Sequence, residues 1–261
     1  MDGPYQQENK AYWDNRAAGY SQVNQLELNT DQRQIWQNEL VCQIKRHFQK
    51  KPPEETHILE VGTGPGFFAI ILAEAGYSVT AVDYTPAMLL QAKANAGILA
   101  EKITFLEMDA EALTFPDGRF DVVLSRNLTW NLPHPKQAYR EWARVLAPGG
   151  LLLNFDANWY AYLFDPAERA AYEQDRRNTA EAQIKDEYLC TEIDVMEGIA
   201  QKAPLSRIKR PDWDIRLLTE LGMGQIQSDS QVWQKVWSRE EKINFHATPM
   251  FLVSAVKDIS L

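Results

Sequence analysis

Apolar positions along this chain repeat with two different periods. Up to about Pro53 the period is helical: Ile35, Trp36, Leu40, Val41, Ile44 and Phe48 form one stripe behind the cap-type residues Thr30 and Asp31. Lys50-Lys51-Pro52-Pro53 ends that stretch, because proline neither donates a backbone hydrogen bond nor continues a helix. From His57 to Ala157 short apolar runs alternate with helical patterns. Strands are predicted at 57–61, 78–83, 103–106, 120–124 and 151–155. Helices are predicted at 67–75 and behind Pro86, where Met88, Leu89 and Ala92 follow. Pro116-Asp117-Gly118 and Pro148-Gly149-Gly150 read as turns before the fourth and fifth strands.

Strands alternating with helices imply βαβ units and a parallel sheet. The expected fold is therefore α/β, a doubly wound, mostly parallel sheet. The alternation then breaks. Residues 158–210 read as helical with no convincing strand, followed by a helix at 211–221 and closing strands at 225–232 and 250–256, which brings the sheet to seven strands. One domain is expected over 1–261: a helical segment (1–53), a core (54–157), an insertion (158–210) and a closing part (211–261). An insertion of that length exceeds an ordinary connection. It predicts either a lid over the site or a rigid extension of the core.

Composition narrows the classes. Among 261 residues, 27 Lys and Arg face 36 Asp and Glu, a net charge of −9, which argues against a nucleic-acid partner. No stretch approaches the roughly 18 apolar residues of a membrane span, and the first residues lack a basic and apolar leader pattern. Only Cys42 and Cys190 occur, without metal-ligand spacing, so no metal site or disulfide framework is expected and the reducing cytoplasm is the expected compartment.

The richest chemistry lies at Glu60-Val61-Gly62-Thr63-Gly64-Pro65-Gly66. Glycines between a strand and a helix let backbone approach a ligand where a Cβ would clash, and the amides of the next helix favour an anionic group. The GxGxG spacing departs from the GxGxxG dinucleotide fingerprint. The next strand ends in Asp83, 21 positions after Gly62, where a carboxylate can accept both hydroxyls of a ribose. Read alone, Asp83 is as well a helix cap and Asp109 a solvated loop residue. Their recurrence at successive strand ends favours one ligand edge.

In this order the motifs resemble those of the class I S-adenosylmethionine-dependent methyltransferases, of the small-molecule, ubiquinone-biosynthesis-like branch, over roughly residues 12–157. The resemblance implies S-adenosylmethionine as cofactor. Glu60, Gly62, Thr63, Gly64 and Gly66 would hold its methionine portion, Asp83 its ribose, and Tyr84, Met88, Asp109 and Ala110 its adenine. The 120–126 stretch ending in Arg126, and 144–150, are similar to the family's later motifs; Tyr12, Trp13, Arg16 and Tyr20 resemble an N-terminal segment whose aromatic closes over the cofactor.

Methyl transfer from a sulfonium needs alignment and exclusion of water more than covalent help. A general base is needed only where the acceptor must lose a proton. His134 is the one histidine near the strand-four exit, so it is the candidate base, although histidine between prolines is more often an exposed loop residue. Trp130, Asn131, Asn158, Trp159 and Tyr160 are the candidate contacts to a small-molecule acceptor, with packing of the insertion as the alternative reading. Two other functions share such a fold: a nicotinamide-dependent oxidoreductase, and a non-catalytic S-adenosylmethionine-binding module.

Overall fold

The computed structural model describes residues 3–188 and 191–258. Cys190, expected to be an ordinary thiol, lies outside them. A seven-stranded sheet runs in the order β3-β2-β1-β4-β5-β7-β6. Its strands are β1 (His57–Val61), β2 (Ser78–Asp83), β3 (Ile103–Glu107), β4 (Phe120–Arg126), β5 (Leu146–Asp156), β6 (Gly224–Asp229) and β7 (Phe251–Val256). The first five are mutually parallel, and β7 is antiparallel to both β5 and β6. Strand order reverses between β1 and β4, and open α/β sheets bind ligands beyond the strand C-termini at such a point.

Continuous apolar runs make these strands because both faces are covered. Alternate residues feed opposite layers. Ile58, Val122, Leu124, Leu151 and Leu153 pack with α2 (Gln32–His47) and α3 (Phe67–Glu74). Leu59, Val61, Val123 and Leu152 pack on the other side with α5 (Pro135–Val145) and α8 (Asp212–Glu220). Helix α4 (Pro86–Ala96) starts at the proline that marked it in the sequence.

The N-terminal segment is two helices. The first, α1 (Pro4–Leu28), spans 25 residues, and a break at Asn29–Asp31 precedes α2. Asp31 sits at the N-cap, but its side chain makes no capping bond. Helix α1 is fastened to α4 by a Ser21–Asn95 hydrogen bond of 3.0 Å and a Gln25–Asn95 bond of 3.0 Å.

Two expectations about the elements need correction, and one element is additional. Pro148-Gly149-Gly150 is a bulge inside β5 rather than a turn before it. The ladder continues through it, since Gly149 N–H donates to the Lys257 carbonyl and Lys257 N–H to that of Gly150, both at 2.9 Å. The shift in β4–β5 pairing after Phe120 absorbs the extra residues. Next, the strand at 225–232 stops at Asp229, because Val232 begins α9 (Val232–Val236). Finally, α10 (Arg239–Asn244) is closed by a Ser238–Glu241 capping box that the pattern analysis passed over.

Residues 158–210 fold as a short 3-10 turn, α6 (Pro166–Glu181) and α7 (Ile193–Ala200). Their roots are tied together. Asn158 Nδ2 donates to the Arg210 carbonyl at 3.0 Å, and Arg210 N–H donates back to Asn158 Oδ1 at 3.1 Å. The buried Arg210 guanidinium pairs with Asp156 at 2.6 Å and Asp214 at 2.7 Å.

Candidate active site

Two cavities lie at the C-terminal edge of the sheet and share a wall. The smaller, about 130 Å³, is walled by the loops after β1, β2, β3 and β4 and roofed by Gln6, Asn9, Lys10 and Trp13 of α1. Its floor is the glycine loop. Gly62, Gly64 and Gly66 hold φ of 69°, 52° and 91°, a region that side-chain-bearing residues rarely adopt. A Cβ on Gly62 would stand 2.7 Å from Leu128, and one on Gly66 2.9 Å from the Ala92 Cβ. The loop is therefore glycine-specific both by conformation and by space.

Two buried carboxylates set the electrostatics. Glu60 Oε2 accepts from Thr63 Oγ1 at 2.6 Å. Burial pushes the Glu60 carboxyl up to about 7, with Thr63 and Arg126 only partly opposing the rise. Asp83 accepts from Gly64 N–H at 2.8 Å and from Thr85 N–H at 2.9 Å, so it braces the loop while facing the cavity. Burial raises its carboxyl above the ordinary range, and those two amides pull it back. Both oxygens keep lone pairs for a diol.

Asp109 and Ala110 line the far end, where Asp109 Oδ2 accepts from Gln6 of α1 at 3.3 Å. Tyr84 and Met88 complete that end, and Lys10 lies 5.7 Å from the Tyr84 ring centre. Arg126 lines both cavities but does not offer a free charge. It forms a two-pronged pair with Glu27 at 2.7 and 3.0 Å and stacks on Phe67 and Phe68.

The larger cavity measures about 720 Å³. Its walls mix aromatic and charged side chains, and the aromatics come from five separated stretches, with Trp13 and Tyr20 from α1, Trp130 after β4, Trp159 and Tyr160 after β5, Tyr188 in the insertion, and Trp237 and Phe245 around α10. Trp130 is set by two bonds. Its N–H donates to Asp156 at 3.0 Å, and its indole Nε1 to the Asn127 carbonyl at 3.0 Å. The cavities meet at Trp13, Tyr20, Arg126 and Asn127.

Most residues singled out in the sequence converge here, but three do not reach the acceptor side. The His134 side chain is 72% exposed and lines neither cavity. Its Nδ1 and backbone N–H both bind the Glu111 carboxylate, at 2.9 and 2.5 Å, which holds it at the start of α5. Asn158 spends its amide on Arg210. Asn131 belongs to the smaller cavity and fastens α1, with its carbonyl accepting from Tyr5 Oη at 2.9 Å and from Asn9 at 3.2 Å. Conversely, Asn127, Glu27, Tyr188, Trp237 and Glu241 line the larger cavity without having been flagged. Of these, only Glu241 carried a local signal, the capping box.

Residues 59–154 match the model of a methyltransferase domain family. The chain is 42% identical over 98 residues to a demethylmenaquinone methyltransferase of Thermus thermophilus, covering 37% of this chain and 44% of that one. It is 32% identical over 161 residues to a ubiquinone/menaquinone biosynthesis C-methyltransferase of Bartonella tribocorum, covering 57% and 59% respectively. The chain thus spans about half the length of the curated relatives it matches. Among solved structures it is similar to Haemonchus contortus phosphoethanolamine N-methyltransferase 2 in complex with S-adenosyl-L-methionine, with a TM-score of 0.59, 16% identity and coverage of 85% of this chain and 52% of that one. The core of the chain, residues 59–154, is thus similar to a methyltransferase domain, and its sheet has the Rossmann-like fold of such enzymes.

Proposed function

We propose that this chain transfers the methyl group of S-adenosylmethionine to a small-molecule acceptor. The observation that carries this reading is the pairing of chambers. A cavity floored by a glycine-specific loop and flanked by a buried carboxylate adjoins, across Trp13, Tyr20, Arg126 and Asn127, a much larger one rich in aromatic side chains.

The residues present fit the cofactor. Gly62, Thr63 and Gly64 line the cavity, Gly66 holds the left-handed turn that carries them into the next helix, and Glu60 supplies a carboxylate for an ammonium group. Asp83 holds the ribose hydroxyls, while Tyr84, Met88, Asp109 and Ala110 bracket the adenine. When bound, S-adenosylmethionine supplies an electrophilic methyl on a sulfonium that departs as a neutral thioether. The protein's part is alignment and drying. Tyr20 and Trp13 sit at the junction, and the aromatic walls exclude water from it. Trp130, Trp159 and Tyr160 hold the acceptor. The 158–210 segment supplies one side of its chamber. Among the described residues no helix is long and apolar enough to cross a membrane.

Calorimetric titration with S-adenosylmethionine, S-adenosylhomocysteine and NAD tests the cofactor. The first two should bind and NAD should not. Mass-spectrometric detection of methylated products across a panel of acceptors tests the transfer. Binding of NAD in place of S-adenosylmethionine would overturn the proposal.

A further inference from the structure

We propose that Asn127 selects the acceptor, its side-chain oxygen receiving a hydrogen bond from an O–H or N–H group on a neutral, flat, largely apolar molecule lying in the larger cavity. This rests on the function proposed above and adds the acceptor's chemistry to it.

Asn127 stands at the junction of the two cavities with φ 56°, a left-handed conformation that Asn tolerates better than other side-chain-bearing residues. Its backbone is tied on both sides. The N–H donates to the Phe155 carbonyl at 2.8 Å, and the carbonyl accepts from Trp130 Nε1 at 3.0 Å. Its side chain lies beside Tyr20, to whose hydroxyl oxygen the amide nitrogen hydrogen-bonds. Yet its Oδ1 is buried with no hydrogen-bond partner among the described residues. Buried polar atoms without partners are rare, and one at the wall of a ligand cavity is matched when the ligand brings a donor. Trp159 Nε1 is the complementary case, a buried donor without a partner on the same cavity. An acceptor carrying an O–H or N–H at the junction and an oxygen or nitrogen lone pair deeper in would satisfy both.

The walls define the rest of the molecule. Trp130, Trp159, Tyr160, Trp237 and Phe245 offer ring faces, which favour a flat apolar body. Charge disfavours an anion. The Arg126 guanidinium is already matched by Glu27 and Lys185 pairs with Glu187 at 3.4 Å, while the lining adds Asp31, Glu240 and Glu241 against the one further cation, Arg16. A donor group held by Asn127 would sit beside Tyr20 and Arg126, at the opening to the cofactor cavity.

The test uses the full chain saturated with S-adenosylhomocysteine and a matched pair of probes, 1-hydroxypyrene and 1-methoxypyrene, read by fluorescence anisotropy. The hydroxyl compound should bind about fivefold more tightly, the worth of one neutral hydrogen bond. Asn127→Gly keeps the left-handed backbone and removes the oxygen, so the two affinities should become equal. Asn127→Asp keeps an acceptor oxygen and should keep the preference. The anion 1-pyrenesulfonate should bind more weakly than 1-methoxypyrene. Equal affinities for the pair in the unmodified protein, a preference that survives Asn127→Gly, failure of both pyrenes to bind, or tighter binding of the sulfonate would each overturn the inference. Failure of S-adenosylhomocysteine itself to bind would instead strike the proposed function, so the two failures are separable.

Discussion

Converting Glu27 to Gln should destabilise the protein far more than a single lost surface charge would. Glu27 is 5% exposed, and its two oxygens receive the Arg126 Nη atoms at 2.7 and 3.0 Å, with Asn24 Nδ2 adding a bond of 3.0 Å. The guanidinium is enclosed by Phe67, Phe68 and Trp36, whose ring centres lie 4.8, 4.9 and 5.3 Å away. In Glu27→Gln that cation stays buried but loses its counter-charge. Breaking a buried pair from one side costs about 3–5 kcal/mol. For a domain of this size that lowers the thermal midpoint by on the order of 10 °C. Arg126→Met should cost a similar amount, since it leaves Glu27 near the buried carboxyl of Glu241, which is already raised by burial and by Glu27. The double variant Glu27→Leu/Arg126→Met removes both charges and should lie well above the sum of the single losses, with a coupling of about 2 kcal/mol or more. Urea unfolding followed by circular dichroism on the four proteins measures the cycle. A Glu27→Gln protein within about 1 kcal/mol of the parent, or additive single losses, would show that the pair does not hold α1 to β4.

Four further outcomes are expected. Asp83→Ala should weaken S-adenosylmethionine binding about tenfold or more, because charge-assisted bonds to the ribose are lost. It should also lower the thermal midpoint, since Gly64 and Thr85 lose their acceptor; unchanged affinity in calorimetry would refute the ribose assignment. Glu60, raised from its ordinary 4.5 to about 7, keeps in the folded chain a proton that the unfolded chain releases. Ligand-free protein should therefore lose stability as pH rises from about 4.5 to 7, by up to about 3 kcal/mol. Glu60→Gln should flatten that slope in urea titrations at several pH values; equal slopes would contradict the burial argument. Trp159→Ala/Tyr160→Ala should impair methyl transfer while S-adenosylmethionine affinity stays near that of the parent; full turnover would move the acceptor elsewhere. In hydrogen exchange, the Arg210 amide should be slow with and without ligands, and slowing on loading should be confined to residues between the tied roots. Fast exchange at Arg210 would show that the roots open.

Legibility in the sequence followed how local each determinant is. β1 and β2 fall where their apolar runs lie, His57–Val61 and Ser78–Asp83, because a strand buried on both faces is written continuously in the chain. The glycine loop was equally plain, since three left-handed residues in a row of five leave few other sequences. The roof was harder to see. α1 turns Ser21, Asn24 and Glu27 inward, so a helix that covers a polar cavity carries no apolar stripe to announce it. In the larger cavity Trp130, Trp159 and Tyr160 were legible at their strand exits, whereas Tyr188, Trp237 and Phe245 come from separate stretches that meet them only through the fold. His134 lies outside both cavities because Glu111, unremarkable in the sequence, holds it at a helix start. Pro148-Gly149-Gly150 has turn composition, but tertiary pairing with Lys257 kept it in the sheet.

The mutual bonds between Asn158 and Arg210 carry a last implication. An excursion whose ends meet at one point can be exchanged without altering the register of the sheet below, provided its ties to α10 and the turn after it are kept, namely Asp175 to the Ala247 N–H and Glu187 N–H to Asn244. Doubling the length of such a closed loop costs only about 0.6 kcal/mol. The aromatic side of the acceptor chamber that it carries, around Tyr188 and Met196, can therefore diverge while Asp156, Arg210 and the cofactor edge stay as they are. Transplanting residues 159–209 from another methyltransferase between the same two anchors becomes a rational way to change what this scaffold methylates.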